Sequence, residues 1–244
     1  MTEFKHQGAE KKKYVKDMFD DISEKYDFLN HLLSFGIDYY WRFRLVRFIQ
    51  PQAAQRILDV ATGTGDVGFA ILKRNNNLNI IGLDYAYNMV KIGLQKAKKR
   101  KIHNFKFVQG DGEHLPFKDN QFDTLTIAYG FRNIGHYDLA LNEFFRVLKP
   151  NGKLAILEFS TPQSKIFDIL YQWYFKNVLP RIAGLFSRSD AYRYLPESVE
   201  NFPERPEMLE MIRSAGFCKP GCIDLTFGVT SIFHGLKTNF WRFV

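Results

Sequence analysis

The sequence predicts an α/β protein built on a parallel, doubly wound sheet. From Gln55 onward, short β-branched and apolar runs alternate with segments of helical periodicity, the rhythm of strands joined by crossover helices. A tight glycine turn, Gly63 and Gly65, follows the first of those runs, where such folds pass from strand to helix at a ligand. The 244 residues, 45% of them hydrophobic, suffice for a full core.

Taken in order, residues 1–50 read as helical, with Tyr14, Met18, Phe19 and Ile22 at helix-like spacing and the run Tyr26–Asn30 after them. Strands are predicted over Arg56–Val60, Asn79–Asp84, Phe105–Asp111, Phe122–Tyr129 and Lys153–Ser160, and helices near Val67–Arg74, Met89–Arg100 and Tyr137–Leu148. Thr161–Pro203 breaks the rhythm as an insertion dense in aromatic residues. Two units follow: an N-terminal helical segment, 1–50, and a ligand-binding domain, 51–244, carrying the insertion 161–203. Both irregular segments are expected over the C-terminal edge of the sheet as a lid, since ligands of open α/β folds bind there.

Composition narrows the classes. No apolar stretch approaches the roughly 18 residues of a membrane span, and the lysine-rich N-terminus has no apolar run of a secretory signal. A cytoplasmic protein is expected. Its net charge of +8 favours anionic partners, although Lys11–Lys13 with Lys16, and Lys96 with Lys98–Lys101, also read as solvated helix faces. Cys218 and Cys222 are too few for a disulfide framework, and the six histidines show no ligand spacing, so no metal site is expected.

The chemistry concentrates in Ile57-Leu58-Asp59-Val60-Ala61-Thr62-Gly63-Thr64-Gly65-Asp66. Gly63 and Gly65 let the backbone approach a ligand closely, and a helix should start beyond them with Thr64 or Asp66 as its cap. With Gly68 the string also spells the dinucleotide fingerprint. Asp59, however, stands where a pyrophosphate would lie, which disfavours a dinucleotide and suits an ammonium or sulfonium ligand. The pattern favours S-adenosyl-L-methionine. Asp84 ends the second strand about twenty residues beyond Gly65, the interval of an acid that binds ribose hydroxyls. Asp111, followed by Gly112, ends the third and could accept from an adenine amino group.

These residues, with the blocks around them, resemble the class I S-adenosylmethionine-dependent methyltransferases and, more narrowly, the UbiE/COQ5 (MenG) family. The likeness spans about Phe19 to Lys237. It is carried by Lys25-Tyr26-Asp27 with Asn30, Ser34-Phe35-Gly36-Ile37 and Trp41, Gly63-Thr64-Gly65-Asp66, Leu115-Pro116-Phe117, Phe122-Asp123 and Phe131-Arg132-Asn133. Arg146–Gly152, Leu157-Glu158-Phe159-Ser160 and Tyr192-Arg193-Tyr194-Leu195 with Glu197-Ser198 complete it. The chain departs from the family pattern at Asp38, Thr62, Asn151 and Ala128, the last in place of a serine that contacts cofactor in some members.

The resemblance implies a Rossmann-like sheet, mostly parallel with an antiparallel C-terminal strand, and methylation of a ring carbon of a prenylated quinol, demethylmenaquinol being favoured over the ubiquinone precursor. S-adenosyl-L-methionine would be the methyl donor, held by Asp59, Gly63, Thr64, Gly65, Asp84, Asp111, Gly112 and the backbone of Ala128. Arg132 and Asn133, with Asp66 and Tyr26 nearby, are the expected catalytic group, orienting a water or stabilising a developing phenolate. Such a substrate lives in a membrane. Lys165–Phe186, apolar and aromatic with flanking cations, is therefore expected to contact one, or else to line the tail pocket or a homodimer interface. No nucleic-acid partner is expected, since no NPPY-like tetrapeptide, catalytic-cysteine motif or RNA-binding appendage is present. A non-catalytic S-adenosylmethionine-binding scaffold in a quinone-synthesis complex is the reading from another class.

Overall fold

The computed structural model describes residues 8–23, 26–164 and 191–238, with positions 167, 169, 173 and 177 between them. Most of Lys165–Phe186 lies outside the described residues. Seven strands, β1 (Arg56–Val60), β2 (Asn79–Asp84), β3 (Phe105–Gln109), β4 (Phe122–Ala128), β5 (Leu148–Phe159), β6 (Cys218–Leu225) and β7 (Thr230–Leu236), form one sheet in the order β3-β2-β1-β4-β5-β7-β6. All neighbours from β3 to β5 are parallel, and β7 runs antiparallel to both β5 and β6. This is the mostly parallel sheet with an antiparallel C-terminal strand that the sequence led us to expect.

Helices cover both faces: α1 (Gly8–Ile22), α2 (Tyr26–Leu33), α3 (Ile37–Ile49), α4 (Asp66–Arg74), α5 (Tyr87–Lys99), α6 (Tyr137–Val147), α7 (Ala191–Glu200) and α8 (Arg205–Ser214). Strand alternation divides the core. Leu58, Leu125, Leu154 and Ile156 pack with Phe144 and Val147 of α6 and Met208 and Ile212 of α8, whereas Ile57, Ala155 and Leu157 pack with Leu45 and Ile49 of α3 and Ile71 of α4. A strand buried on both faces needs apolar residues at successive positions, which is why Ile57, Leu58 and Val60 read as a continuous run.

Of residues 1–50, α1 and α2 reach the C-terminal edge of the sheet, while α3 belongs to its wall through Trp41, Leu45, Val46 and Ile49. The strands depart most from the sequence reading at β5, β3 and β6. β5 begins at Leu148, because Leu148 pairs with Phe122 and a bulge absorbs the turn before Lys153 pairs with Thr124. β3 stops at Gln109, where the chain leaves the ladder at Gly110. β6 has no counterpart in the sequence reading; its Lys219-Pro220-Gly221 looks like a turn, but lies within the strand at a register shift on the sheet edge, where a proline without a donor is tolerated.

Candidate active site

Between β1 and β4 the sheet order reverses direction, which opens a crevice at the carboxyl ends of those strands. The backbone there is unusual. Ala61 and Tyr129, the residues after β1 and β4, both adopt positive φ (48° and 56°), conformations that nonglycine residues hold only when their surroundings enforce them. Gly130 is forced by the same proximity, since a Cβ on it would lie 2.4 Å from that of Ala61. The resulting cleft encloses about 750 Å³, open solvent at its mouth included.

Asp84 lies in its wall. One carboxylate oxygen accepts from the Gly63 N–H at 2.7 Å and the other from the Ala86 N–H at 2.9 Å, so each retains capacity for a ligand hydroxyl. Burial pushes its pKa up to about 6 against those two N–H donors. Gly63 holds φ at 57°, and a Cβ there would project into the cradle, 3.8 Å from the Tyr26 ring. Gly112, Ala128 and Asn133 complete the lining on the β3 and β4 sides, and Tyr85, Ala86 and Met89 line it beyond β2. The Oδ1 of Asn133 is buried and accepts no hydrogen bond from the described residues, which leaves an open acceptor on the wall of the cleft.

The other residues singled out from sequence are placed differently. Asp59 is not in the lining. It lies below the floor, 1% exposed, with its oxygens accepting from the hydroxyls of Thr62 and Thr126, each at 2.6 Å, and burial raises its pKa to about 6. Thr64 and Asp66 do not cap α4: Gly65, at φ 93°, is the N-cap without a side-chain bond. A left-handed residue suffices for the turn, which frees the Thr64 hydroxyl to donate to Asp27 at 2.5 Å and to accept from Lys96 at 2.7 Å. Asp66 sits outside the lining, 3.1 Å from Lys96 and 3.8 Å from Arg42. With the Lys96–Asp27 ion pair, this cluster ties α2, and hence Tyr26, to the glycine turn. Tyr26 lines the cleft, and burial raises the pKa of its phenol despite a hydrogen bond with Asn30.

Arg132 is buried behind the lining. Its Nη1 donates to Glu158 at 2.6 Å and to the Tyr129 carbonyl at 2.7 Å, its Nε donates to Ser198 at 3.3 Å, and its guanidinium lies over the Phe159 ring. Burial opposes the charge, but Glu158 more than compensates and holds the guanidinium protonated. The Arg132 backbone N–H also donates to Glu158, at 3.2 Å. The pair thus fixes the turn that presents Asn133.

Sequence reasoning placed residues 1–50 over the site but singled out no residue of α1 for it. Lys12, read as a solvated face, pairs with Asp111 at 2.8 Å and Glu113 at 2.6 Å, and Lys11 is 4% exposed with its Nζ donating to the Ile134 carbonyl. Burial raises the pKa of Asp111, but Lys12 and the Glu113 N–H outweigh it and keep the carboxyl low. Asp111 lines the cleft, as do Val15, Lys16 and Phe19 of α1. No local pattern marks this pairing, because Lys12 and its acids lie far apart in the chain.

This arrangement fits S-adenosyl-L-methionine: a carboxylate with free acceptor capacity at the switch point, a glycine cradle, an acid on the far side and an unused buried acceptor. The fit carries a pH dependence. Asp59 and Asp84 bind protons more tightly in the folded chain than in the unfolded one, where 3.8 is the reference, so between about pH 4 and 6 each destabilises the fold as pH rises. Ligand hydroxyls favour the carboxylate. Cofactor affinity is therefore expected to be level above pH 7 and to weaken by up to about tenfold per unit below about 6. Titration calorimetry over that range checks it, and a flat profile would remove Asp84 from the binding surface.

The whole chain is similar to known proteins. A demethylmenaquinone methyltransferase of Thermus thermophilus is 45% identical over 89% of this chain and 99% of its own, and a ubiquinone/menaquinone biosynthesis C-methyltransferase of Geobacter sulfurreducens is 44% identical over 94% and 90%. Among solved structures, a SAM-dependent methyltransferase of Thermotoga maritima superposes with a TM-score of 0.64 at 18% identity, covering 91% of this chain and 99% of that one, a likeness of fold. The model of the ubiE/COQ5 methyltransferase family matches residues 6–237, from α1 across the glycine turn and the Arg132 turn to the end of β7, and the chain belongs to that family.

Proposed function

We propose that the protein transfers a methyl group from S-adenosyl-L-methionine to a ring carbon of a reduced prenylated quinone, demethylmenaquinol, giving menaquinol. Family membership supports the reaction class, and the Thermus thermophilus relative's name supports the acceptor. A second acceptor, the prenylated benzoquinol of the ubiquinone route, is favoured by the double name of the Geobacter sulfurreducens relative.

Asp84 would hold the ribose hydroxyls, Asp111 with Gly112 would face the adenine, and Gly63 with the backbone of Ala128 would admit the amino-acid end. The bound cofactor supplies an electrophilic sulfonium methyl. The chain's task is to align an acceptor carbon with it and to manage the phenolic proton that makes that carbon nucleophilic. Asn133 Oδ1 is the unused acceptor for a quinol hydroxyl or an ordering water, and Tyr26 faces the same cleft. Arg132, held by Glu158, acts through the turn it fixes and through the positive charge it keeps behind a developing phenolate.

Residues 1–50 and 161–203 are assigned the role of a cover over domain 51–244, a reading supported by Lys12, Val15, Phe19 and Tyr26 in the cleft wall. The acceptor is reached from the cytoplasmic surface of the membrane. No described helix is long and apolar enough to cross one, and the net charge of +8 suits an anionic surface.

Transfer of label from methyl-labelled cofactor to chemically reduced demethylmenaquinone in micelles tests the proposal, with the benzoquinol precursor, tRNA and DNA as parallel acceptors. Label in the naphthoquinol is the expected result. Label only in nucleic acid, or cofactor binding with no transfer, overturns it.

A further inference from the structure

Helix α3 carries two apolar faces. Trp41, Leu45, Val46 and Ile49 are buried against the sheet, as the wall of an α/β domain requires. The opposite face carries Ile37, Tyr40, Phe43, Arg44 and Arg47 at the i, i+3, i+4, i+7 spacing of one stripe. Ile37, Tyr40 and Phe43 are 39%, 44% and 52% exposed. The stripe holds no acid, because the helix's single carboxylate, Asp38, is buried and paired with His31 and Arg42.

The cations are arranged with the rings. Arg44 Nη1 donates to the Tyr40 hydroxyl at 2.7 Å and its guanidinium lies 5.6 Å from that ring, while the Arg47 guanidinium lies 6.0 Å from the Phe43 ring. Neither arginine has a carboxylate partner among the described residues. Ring and guanidinium side by side, with no acid between them, match the boundary of a bilayer, where rings enter the headgroup layer and cations meet lipid phosphates.

The inner face of α3 leads toward the cleft. The Trp41 indole donates to Thr226 Oγ1 at 2.7 Å. The next residue, Phe227, is 65% exposed on a backbone at φ 57° and stacks on Phe167 with centroids 3.8 Å apart. Trp41 also meets the rings of Tyr129 and Phe159, each at 6.0 Å, beside the Arg132 turn. One side of α3 thus reaches the acceptor end of the cleft, and the other faces out.

We infer that the outer face of α3 is the surface by which this protein docks on an anionic phospholipid bilayer. The inference rests on the reading of a prenylated acceptor, which places the substrate in the membrane. It differs from a solvated helix face by its rings and from a buried contact by arginines that have no carboxylate partner among the described residues.

The test uses the full chain and lipid vesicles, without cofactor or quinol. Sedimentation is compared for vesicles of phosphatidylcholine alone and with about a third phosphatidylglycerol. The parent protein is expected to bind the anionic vesicles. Arg44→Gln with Arg47→Gln should weaken that binding about thirtyfold, at about 1 kcal/mol for each cation near the surface. Tyr40→Ser with Phe43→Ser should weaken it at least tenfold with the charge intact. Tyr40, Phe43 and Arg47 are exposed and Arg44 is half-buried on the surface, so circular dichroism and methylation of a short-chain, water-soluble quinol should be unchanged. Parent-like binding by both pairs, or no binding by the parent, overturns the inference. Conversion of a dimer to monomer by either pair, with vesicle binding unaltered, overturns it in favour of a second copy of the chain. Vesicle binding is read without substrate, so failure of quinol methylation leaves this result standing, and failure of docking leaves methylation of the soluble quinol standing.

Discussion

Glu158→Ala is expected to destabilise the protein by about 3–5 kcal/mol, the cost of leaving a buried guanidinium without its counter-ion. Glu158 is fully buried in β5 and pairs with Arg132, itself 6% exposed. Its other oxygen accepts the Arg132 backbone N–H, so the substitution also releases the turn from Phe131 to Asn133. For a chain of this size the melting temperature should fall by about 6–20 °C. Replacing both partners, Arg132→Met with Glu158→Leu, should recover much of that stability, since a dry ion pair often exchanges for apolar packing at little cost. It should not recover turnover. In the stable double variant cofactor affinity is expected within a few fold of the parent, because neither side chain lines the cleft, while kcat falls at least about a hundredfold with the loss of the charge behind Asn133. Thermal unfolding, calorimetry and single-turnover kinetics separate the three quantities. Parent-like kcat in the double variant would reduce Arg132 to a structural role.

What could be read from sequence followed from local pattern. The first five strands and their helices were visible because strands buried on both faces must be continuously apolar, and the glycine turn because positive φ favours glycine. The acids were visible as residue types at strand ends, but their depth was not. Asp59 and Asp84 both look like exposed strand termini, yet Asp59 is one register step inside the sheet, opposite Thr126 of β4, and Asp84 is the last residue of β2. That difference buries one beneath threonine hydroxyls and places the other on the cleft. The tertiary pairings of Lys12 with Glu113, Lys96 with Asp27 and Arg132 with Glu158 join residues far apart in sequence. No periodicity records them, so basic runs with a partner read the same as basic runs in solvent. β6 stayed hidden because an edge strand tolerates proline and glycine, the residues that otherwise mark turns.

That register difference separates two otherwise similar substitutions, and Asp84→Asn is the one expected to abolish useful cofactor binding. A carboxylate accepting from two vicinal hydroxyls makes two charge-assisted bonds, each worth about 1.5–3 kcal/mol, so the loss should reach about a hundred- to ten-thousandfold in Kd. The amide also turns one acceptor into a donor that confronts either the Gly63 or the Ala86 N–H, which disturbs the cradle itself. The folded protein should nevertheless persist at neutral pH, because the removed carboxylate was one that burial disfavoured in its charged form. Asp59→Asn removes an acid of the same type and the same raised pKa, but its oxygens are engaged by Thr62 and Thr126 beneath the floor. Its effect on cofactor affinity should stay within about tenfold, transmitted through the turn alone. Titration of both variants with S-adenosylhomocysteine decides between the positions. A large loss at Asp59 with little at Asp84 would mean that the ligand lies on β1 instead of β2, and equal losses would mean that the two acids act on it only through the backbone they share.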